Sequence, residues 1–425
     1  MILKHGKGLK LLFMTEMWER FSFYSLRALL PLYLTARVMD GGLAWDRCDA
    51  LLLMNNYLAM AYLLPVVGGY FADRFLGQRR SAMIGAVLMA VGHFCMAFNA
   101  LPMFFTALAL VSIGNGFFKP CLTSILGELY DDADESQRDS AYLIFYTGIN
   151  VGAFIGGIVS GWLMENYSYD VGFSIAGIGM LIALFTLWWG QDRYLGDVGK
   201  KPQVKTVNHQ PVPLTAKEKS QLLVVVYLFF MTIFFFIAWE QTGMLSLFIR
   251  DHVDRQFLGW TIPTLWLASL NPFFIIFFAP LLSLLWAYLG RRNLDPFLGV
   301  KMGIGFLLLA LAFGLIGYKS MRPEISPHWI WIVIMQFLTT LGELCFIPIS
   351  WAAVTTLSPR PYVTRMMGLM LAGIGLGTFL GGEFVSLTLD SLGETTIFFI
   401  LTTGLFFFAL VSFAMNPVLK RMSHR

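Results

Sequence analysis

The sequence predicts an all-α membrane protein whose twelve transmembrane helices form two six-helix bundles, and three observations carry that prediction. The first is composition: of 425 residues 57% are hydrophobic, only 13% are charged, and 39 are Phe. A globular core needs neither so much apolar surface nor so little charge around it. The second is a series of apolar runs near the ~20 residues that cross the hydrocarbon. They fall at roughly 10–37, 49–75, 80–101, 103–129, 138–166, 170–190, 219–250, 258–290, 296–318, 328–357, 363–391 and 394–416. The third is the longest polar segment, Gln191 to Ser220, which has no run long enough to span. It separates an N-terminal bundle (1–190) from a C-terminal bundle (219–425) through a cytoplasmic linker (191–218).

Orientation follows from Lys and Arg. With the N-terminus inside, Lys4, Lys7, Lys10, Arg74, Arg79, Arg80, Arg138, Arg193, Lys200, Lys201, Lys205, Lys217, Lys219, Arg291, Arg292, Arg360, Arg365, Lys420, Arg421 and Arg425 are cytoplasmic. Only Arg37, Arg47, Arg250, Arg255, Lys319 and Arg322 fall outside. The positive-inside rule therefore predicts both termini in the cytoplasm of a multi-pass plasma membrane protein, the inner membrane if the source is bacterial. No cleavable signal is expected, because the first span is too long and too charged for an h-region. The net charge of +4 is explained by this bias and gives no reason to invoke nucleic acid. Cys48, Cys95, Cys121 and Cys345 are scattered singly, so neither a disulfide framework nor a metal site is expected.

The two halves echo each other. FLGQRR (75–80), after the second span, is answered by YLGRRN (288–293), after the eighth. Gly148, Gly152 and Gly156 recur every four residues in the fifth span, as Gly373, Gly377 and Gly381 do in the eleventh. Glycine at this spacing clears one helix face for a neighbouring backbone. A duplicated six-plus-six array with its site near the midplane is a transporter architecture.

The loop GGYFADRFLGQRR (68–80) resembles the signature between spans two and three of the major facilitator superfamily, carried here by Gly69, Asp73, Arg74, Gly77, Arg79 and Arg80. The resemblance implies the major facilitator fold. An acid at a helix end and a basic turn are expected to latch neighbouring helices on the cytoplasmic face, as a gate that must break for the inside to open.

The first span, TEMWERFSFYSLRALLPLYL (15–34), carries Glu16, Glu19, Arg20 and Arg27. Each charge at the bilayer centre costs about 2.5–3.5 kcal/mol even on the lenient scale, so four in one span need protein or water around them. Glu16 and Arg20 are four apart in the favourable order, and Arg27 lies near the same face with Phe23 and Tyr24. EMWERFSFYSLR closely resembles the ExxERF motif of the proton-dependent oligopeptide transporter (POT) family. GNGFFKP (114–120, with Lys119), FYTGINVGA (145–153, with Asn150), FFFIAWEQTG (234–243), SLNPFFIIFFAPLLSLLW (269–286) and LGELCFIPIS (341–350) resemble its later spans in order. The chain departs from the family pattern at Phe23, where a tyrosine is usual, and at Ile347–Ser350 after Glu343.

The motifs assemble an intramembrane set of Glu16, Glu19, Arg20, Arg27, Lys119, Glu240 and Glu343. Four acids against three bases leave one surplus negative charge, so one acid is expected to exchange a proton. A dipeptide is a zwitterion. Arg20, Arg27 and Lys119 are expected to hold its carboxylate and Glu343 its amino terminus. The resemblance implies that Asn150 and Asn271 bind polar backbone groups and that Tyr24 and Tyr62 line the cavity. Glu16, Glu19 and Glu240 are the candidate proton carriers, Glu240 through an expected bridge to Arg27.

The expectation is thus a proton-coupled symporter importing di- and tripeptides by alternating access, a monomer in the lipid bilayer, with protons as coupling ion and no other cofactor. An export antiporter, or a carrier of another organic anion or drug-like solute, is the nearest alternative. Glu343 speaks against a simple-anion carrier, because such a site has no use for an acid opposing its cations. A receptor would need a soluble signalling domain. An enzyme would need a nucleophile, metal cluster or phosphate loop. Glu383 and Lys301 lie toward span ends, where snorkelling is expected to suffice. The Phe-rich stripe 228–239 is expected to be lipid-facing or packing surface.

Overall fold

A computed structural model describes residues 6–424 apart from 97, 99, 132–134, 203–213, 323 and 360–361. Lys4, Lys205, Arg360, Arg425 and the middle of the expected linker lie outside the described residues. The chain is helical almost throughout. α1 spans Lys7–Thr35, α2 Arg47–Phe71, α3 Gln78–Cys95, α4 Leu101–Leu129, α5 Glu135–Asn166 and α6 Tyr169–Tyr194. α7 spans Ala216–Trp239, α8 Thr242–His252, α9 Thr264–Ala268, α10 Leu270–Arg291, α11 Leu298–Ser320, α12 Ile330–Leu357 and α13 Val363–His424.

Every expected span falls on helix, with three local differences. The seventh is broken into α7 and α8 at Glu240, the C-cap of α7. The eighth begins later than expected, after a short hairpin pairing Gln256–Phe257 with Trp260–Thr261, and is itself broken between α9 and α10. The eleventh and twelfth run together in α13, interrupted at Gly393 with φ 73° and ψ 159°, a conformation that a Cβ disfavours. Among the described residues nine helical stretches are long and apolar enough to cross a membrane, α13 counting as one. α1, with its six charged residues, and α3, which opens on Gln-Arg-Arg, fall outside that set.

The chain divides into two compact units, 1–45 with 60–206 and 46–59 with 207–425. The first half of α2 thus counts with the second unit. Within each unit the glycine runs do what their spacing predicts. Gly152 and Gly156 of α5 face the Met17 and Phe21 carbonyls of α1, and Gly377 and Gly381 of α13 face the Ile233 and Ile237 carbonyls of α7. A second repeated crossing accompanies them: Gly85 of α3 meets Gly114 of α4, and Gly305 of α11 meets Gly342 of α12. In the second unit the rings of Phe235, Phe306 and Phe346 pack together, the Phe235–Phe346 centroids 4.2 Å apart. Phe230 and Phe234 on the same stripe are exposed, so α7 uses phenylalanine for both purposes.

Lys301 differs from expectation. It does not snorkel but is buried, with Nζ 2.8 Å from Asp295 and 4.8 Å from the centroid of the Trp286 ring. An acid in the preceding loop supplies the partner that solvent would otherwise provide.

Candidate functional site

In the first unit α1 delivers its charges to the interior, where Glu16, Glu19, Arg20 and Arg27 are all buried. The Arg20 guanidinium grips Glu19 with two nitrogens: Nε engages Oε2, and Nη2 donates to Oε1 at 2.6 Å. Glu16, the partner favoured by helical spacing, is looser, with Oε1 3.4 Å from Arg20 Nε. Glu16 Oε2 is buried with no hydrogen-bond partner among the described residues. Such an atom carries a desolvation cost that no hydrogen bond among the described residues offsets.

Arg20 Nη2 also donates to Asn115 Oδ1 at 3.1 Å, and Asn115 Nδ2 donates to the Ala61 carbonyl at 2.9 Å. Asn115 therefore clasps α1 to α4 and α2. The sequence reading missed it, although it stands one turn before Lys119 in GNGFFKP. Lys119 is half-buried, its Nζ 5.2 Å from the centroid of the Tyr62 ring. Arg27 lies over Tyr24 at 5.5 Å and Arg20 over Phe23 at 4.8 Å, so the ring at 23 meets a cation without needing a hydroxyl. Asn150, also buried, donates to the Tyr146 carbonyl one turn back at 3.0 Å. The missed His93 is buried on α3, with Nε2 2.7 Å from Ser22 Oγ of α1.

The second unit contains the acids Glu240 and Glu343. Glu240 is fully buried at the end of α7. Glu343 of α12 is buried and accepts from Asn271 Nδ2 at 2.8 Å. That amide also donates to Thr340 Oγ1 at 3.0 Å. Asn271 occupies this place because α10 restarts immediately before it. Pro272 has no N–H to continue the helix onto the Ala268 carbonyl. Gln336 Nε2 of α12 donates to that carbonyl at 2.9 Å instead. Gln336 and Thr340 were not singled out in the sequence, though they precede Glu343 by seven and three residues on one helix.

In the signature loop the buried contacts fall on one basic residue. Asp73 is exposed and makes no ion pair among the described residues; Arg74 is exposed and donates to Tyr70 Oη at 2.7 Å; Arg80 is exposed. Arg79 is the buried member, donating to the Val198 carbonyl at 2.6 Å and the Gly196 carbonyl at 2.8 Å. Gly77, at φ +77°, passes close to the Lys200 carbonyl, and Gly69 borders Pro120. The motif thus fastens the segment after α6 to the start of α3. Within that segment, Asp197 is held below the usual carboxylate range by its hydrogen bond to Lys200.

One further ionic cluster lies in the second unit. Arg47 pairs with Asp251 and, at 3.0 Å, with Glu394, whose other oxygen is 3.2 Å from His252 Nε2. The sequence reading treated Arg47 only as a charge to be counted for topology.

The model of the POT family matches residues 79–220 and 198–401. The chain belongs to the POT family. Among its relatives, the peptide transporter YePEPT of Yersinia enterocolitica is 32% identical, the match covering 89% of this chain and 87% of that protein. The di-/tripeptide transporter of Lactococcus lactis subsp. cremoris is 30% identical over 85% of this chain and 86% of its own length. Among solved structures, a crystal structure of a peptide transporter POT in complex with sulfate superposes with a TM-score of 0.92. It is 28% identical, covering 99% of this chain and 96% of that one. The mostly helical architecture is therefore the major facilitator fold of POT transporters, and these relatives are transporters rather than enzymes.

Proposed function

We propose that this POT protein imports di- and tripeptides together with protons, by alternating access of an N-terminal bundle (1–190) and a C-terminal bundle (219–425) joined by the linker 191–218. The observation that carries the reading is the division of charge. One unit buries Arg20 and Arg27 and half-buries Lys119, while the other buries Glu343 and Glu240. A zwitterion matches that division, because its carboxylate and ammonium need opposite partners. Membership of a family whose named relatives move peptides supports the same substrate class.

In this mechanism Arg20, Arg27 and Lys119 bind the peptide carboxylate and Glu343 its amino terminus. Asn150 and Asn271 bind backbone groups, and Tyr24 and Tyr62 shape the cavity. A proton on Glu16 or Glu19 weakens the hold of that carboxylate on Arg20 and frees the guanidinium for the substrate carboxylate. Proton and peptide then bind cooperatively, by an amount equal in both directions. Protonation of Glu240 serves the second half of the cycle by releasing Arg27. Side chains of the peptide are tolerated broadly, since every named anchor addresses its ends or backbone. The protein works as a monomer in the plasma membrane with both termini cytoplasmic, and Gly69, Asp73, Arg74, Gly77, Arg79 and Arg80 form part of the cytoplasmic gate.

The test is uptake of labelled dialanine into liposomes. Accumulation above the external concentration is expected only with an inward proton gradient, and Glu16→Gln is expected to hold uptake at equilibrium. Accumulation without a gradient would sink the coupling, and tight dialanine binding without uptake would sink transport.

A further inference from the structure

Asn115 stands between two glycines that press α4 onto its neighbours: Gly114 lies against the Gly85 carbonyl of α3 and Gly116 against the Leu64 backbone of α2. Its side chain is held at both ends by groups of fixed polarity. Arg20 Nη2 can only donate and faces Oδ1, while the Ala61 carbonyl can only accept and faces Nδ2. That carbonyl is open because Pro65 stands four residues on, where an N–H would otherwise close the helical bond. The same device recurs in the second unit, where Gln336 of α12 takes the Ala268 carbonyl that Pro272 leaves open. Asn115 is only 1% exposed, so water does not compete for either bond.

Arg20 uses Nε and both hydrogens of Nη2 on Glu19 and Asn115, and none of these bonds touches Nη1. The titratable and charged groups around it are Glu16, Glu19 and Tyr24 of α1, with Lys119 of α4 beside Glu16. Its two kinds of partner answer a proton differently. A carboxylate that takes one loses its charge and much of its grip on a guanidinium. An amide does not titrate.

We propose that Asn115 is a positioning residue for recognition of the peptide carboxylate: when a proton loosens the hold of Glu16 or Glu19, it keeps the Arg20 guanidinium fastened to α4 with Nη1 presented to the ligand. This rests on the assignment of Arg20 to the peptide carboxylate and of the coupling proton to Glu16 or Glu19. Without Asn115 the released guanidinium must be ordered afresh by the ligand, which weakens binding. Being neutral, the amide holds Arg20 without competing for it as a further acid would. Lys119 follows one turn later on α4, so the same tie sets the spacing of two of the three cations proposed to hold the carboxylate.

The experiment measures the dissociation constant of dialanine for the purified full-length protein in nanodiscs at about pH 5 and about pH 7.5, between which the dipeptide stays largely zwitterionic. Asn115→Leu keeps the bulk and removes the acceptor, Asn115→Ala removes both, and Asn115→Thr keeps an acceptor. Wild-type protein is expected to bind more tightly at the acidic pH. Asn115→Leu is expected to weaken binding there about tenfold, the loss of roughly one hydrogen bond to a charged group, and to match wild type at about pH 7.5, where Glu19 still holds Arg20. Equal binding at the higher pH also reports that the variant is folded. Asn115→Ala is expected to show the same acid-specific loss and decides the matter if the Leu variant does not fold. Asn115→Thr is expected to recover most of the gain. The proposal is overturned if removing the acceptor weakens binding by the same factor at both pH values or at neither, or if Thr behaves as Leu and Ala do. Wild-type affinity that does not rise at acidic pH would overturn the proton assignment beneath it, and the proposal with it.

Discussion

Glu16 and Glu19 stand one turn apart on the same helix and meet the same arginine, yet their surroundings differ. Both oxygens of Glu19 are engaged by Arg20, whereas Glu16 offers one oxygen at 3.4 Å and keeps the other without a partner among the described residues. Removing one partner of a buried pair typically costs about 3–5 kcal/mol, because it strands the other charge. Glu19→Gln is therefore expected to lower the thermal midpoint by several degrees. Glu16→Gln is expected to shift the midpoint little while abolishing the proton dependence of uptake. Thermal unfolding in nanodiscs beside the liposome assay separates them; equal destabilisation would remove the distinction. Spacing alone favours the Glu16–Arg20 pair, whereas in the structure the guanidinium turns toward Glu19 and Asn115 of α4. The charged residues of this cluster were legible because charge in an apolar span is anomalous. Asn115 and Thr340 were not, because a neutral polar residue in a membrane helix is unremarkable until its partner is known.

At the scale of elements, the glycine runs were legible for a simple reason. A face without Cβ atoms, repeated every four residues, has few uses except close approach, and both runs meet a carbonyl face of a neighbouring helix. An alanine Cβ at Gly152 would collide with the Met17 carbonyl oxygen, and one at Gly377 would crowd that of Ile233. Backbone cannot rotate aside as a side chain does. Gly152→Ala and Gly377→Ala are each expected to cost about 1–3 kcal/mol of stability. Gly290→Ala, with nothing within 4 Å of the added carbon, serves as the control in the same melting experiment. The breaks in spans seven and eight were not read from the sequence. The hydropathy of 219–250 and 258–290 is nearly continuous, and a break shows only in where hydrogen bonds stop. At Ala268 it shows as a carbonyl handed from the helix to Gln336.

At the scale of the whole molecule, the reading rests on orientation and on alternating access. With Lys and Arg concentrated in the loops assigned to the cytoplasm, single cysteines introduced at Gly6 and Ser423 are expected to resist an impermeant thiol reagent in intact cells. One at Arg37 is expected to react. The native cysteines are an easy background, since Cys48, Cys121 and Cys345 are buried and Cys95 is half-buried. Labelling of either terminus from outside would reverse the orientation and with it the direction assigned to the proton gradient.

Composition and span length determined by themselves that this is a polytopic helical membrane protein, because bilayer thickness and backbone hydrogen bonding leave an apolar chain few alternatives. Motif order pointed to the POT family, and intramembrane charge marked the proposed site, because ionisable groups in a membrane are costly to keep without a use. Tertiary structure decided the rest: that Arg20 belongs to Glu19 rather than Glu16, that Lys301 is paired with Asp295, that Arg79 rather than Asp73 is the anchoring member of its loop, and that Asn271 turns its NH2 to Glu343. Each of these is a choice among partners within a few ångströms. Helical spacing limits the candidates, but three-dimensional packing and the direction of each hydrogen bond select among them.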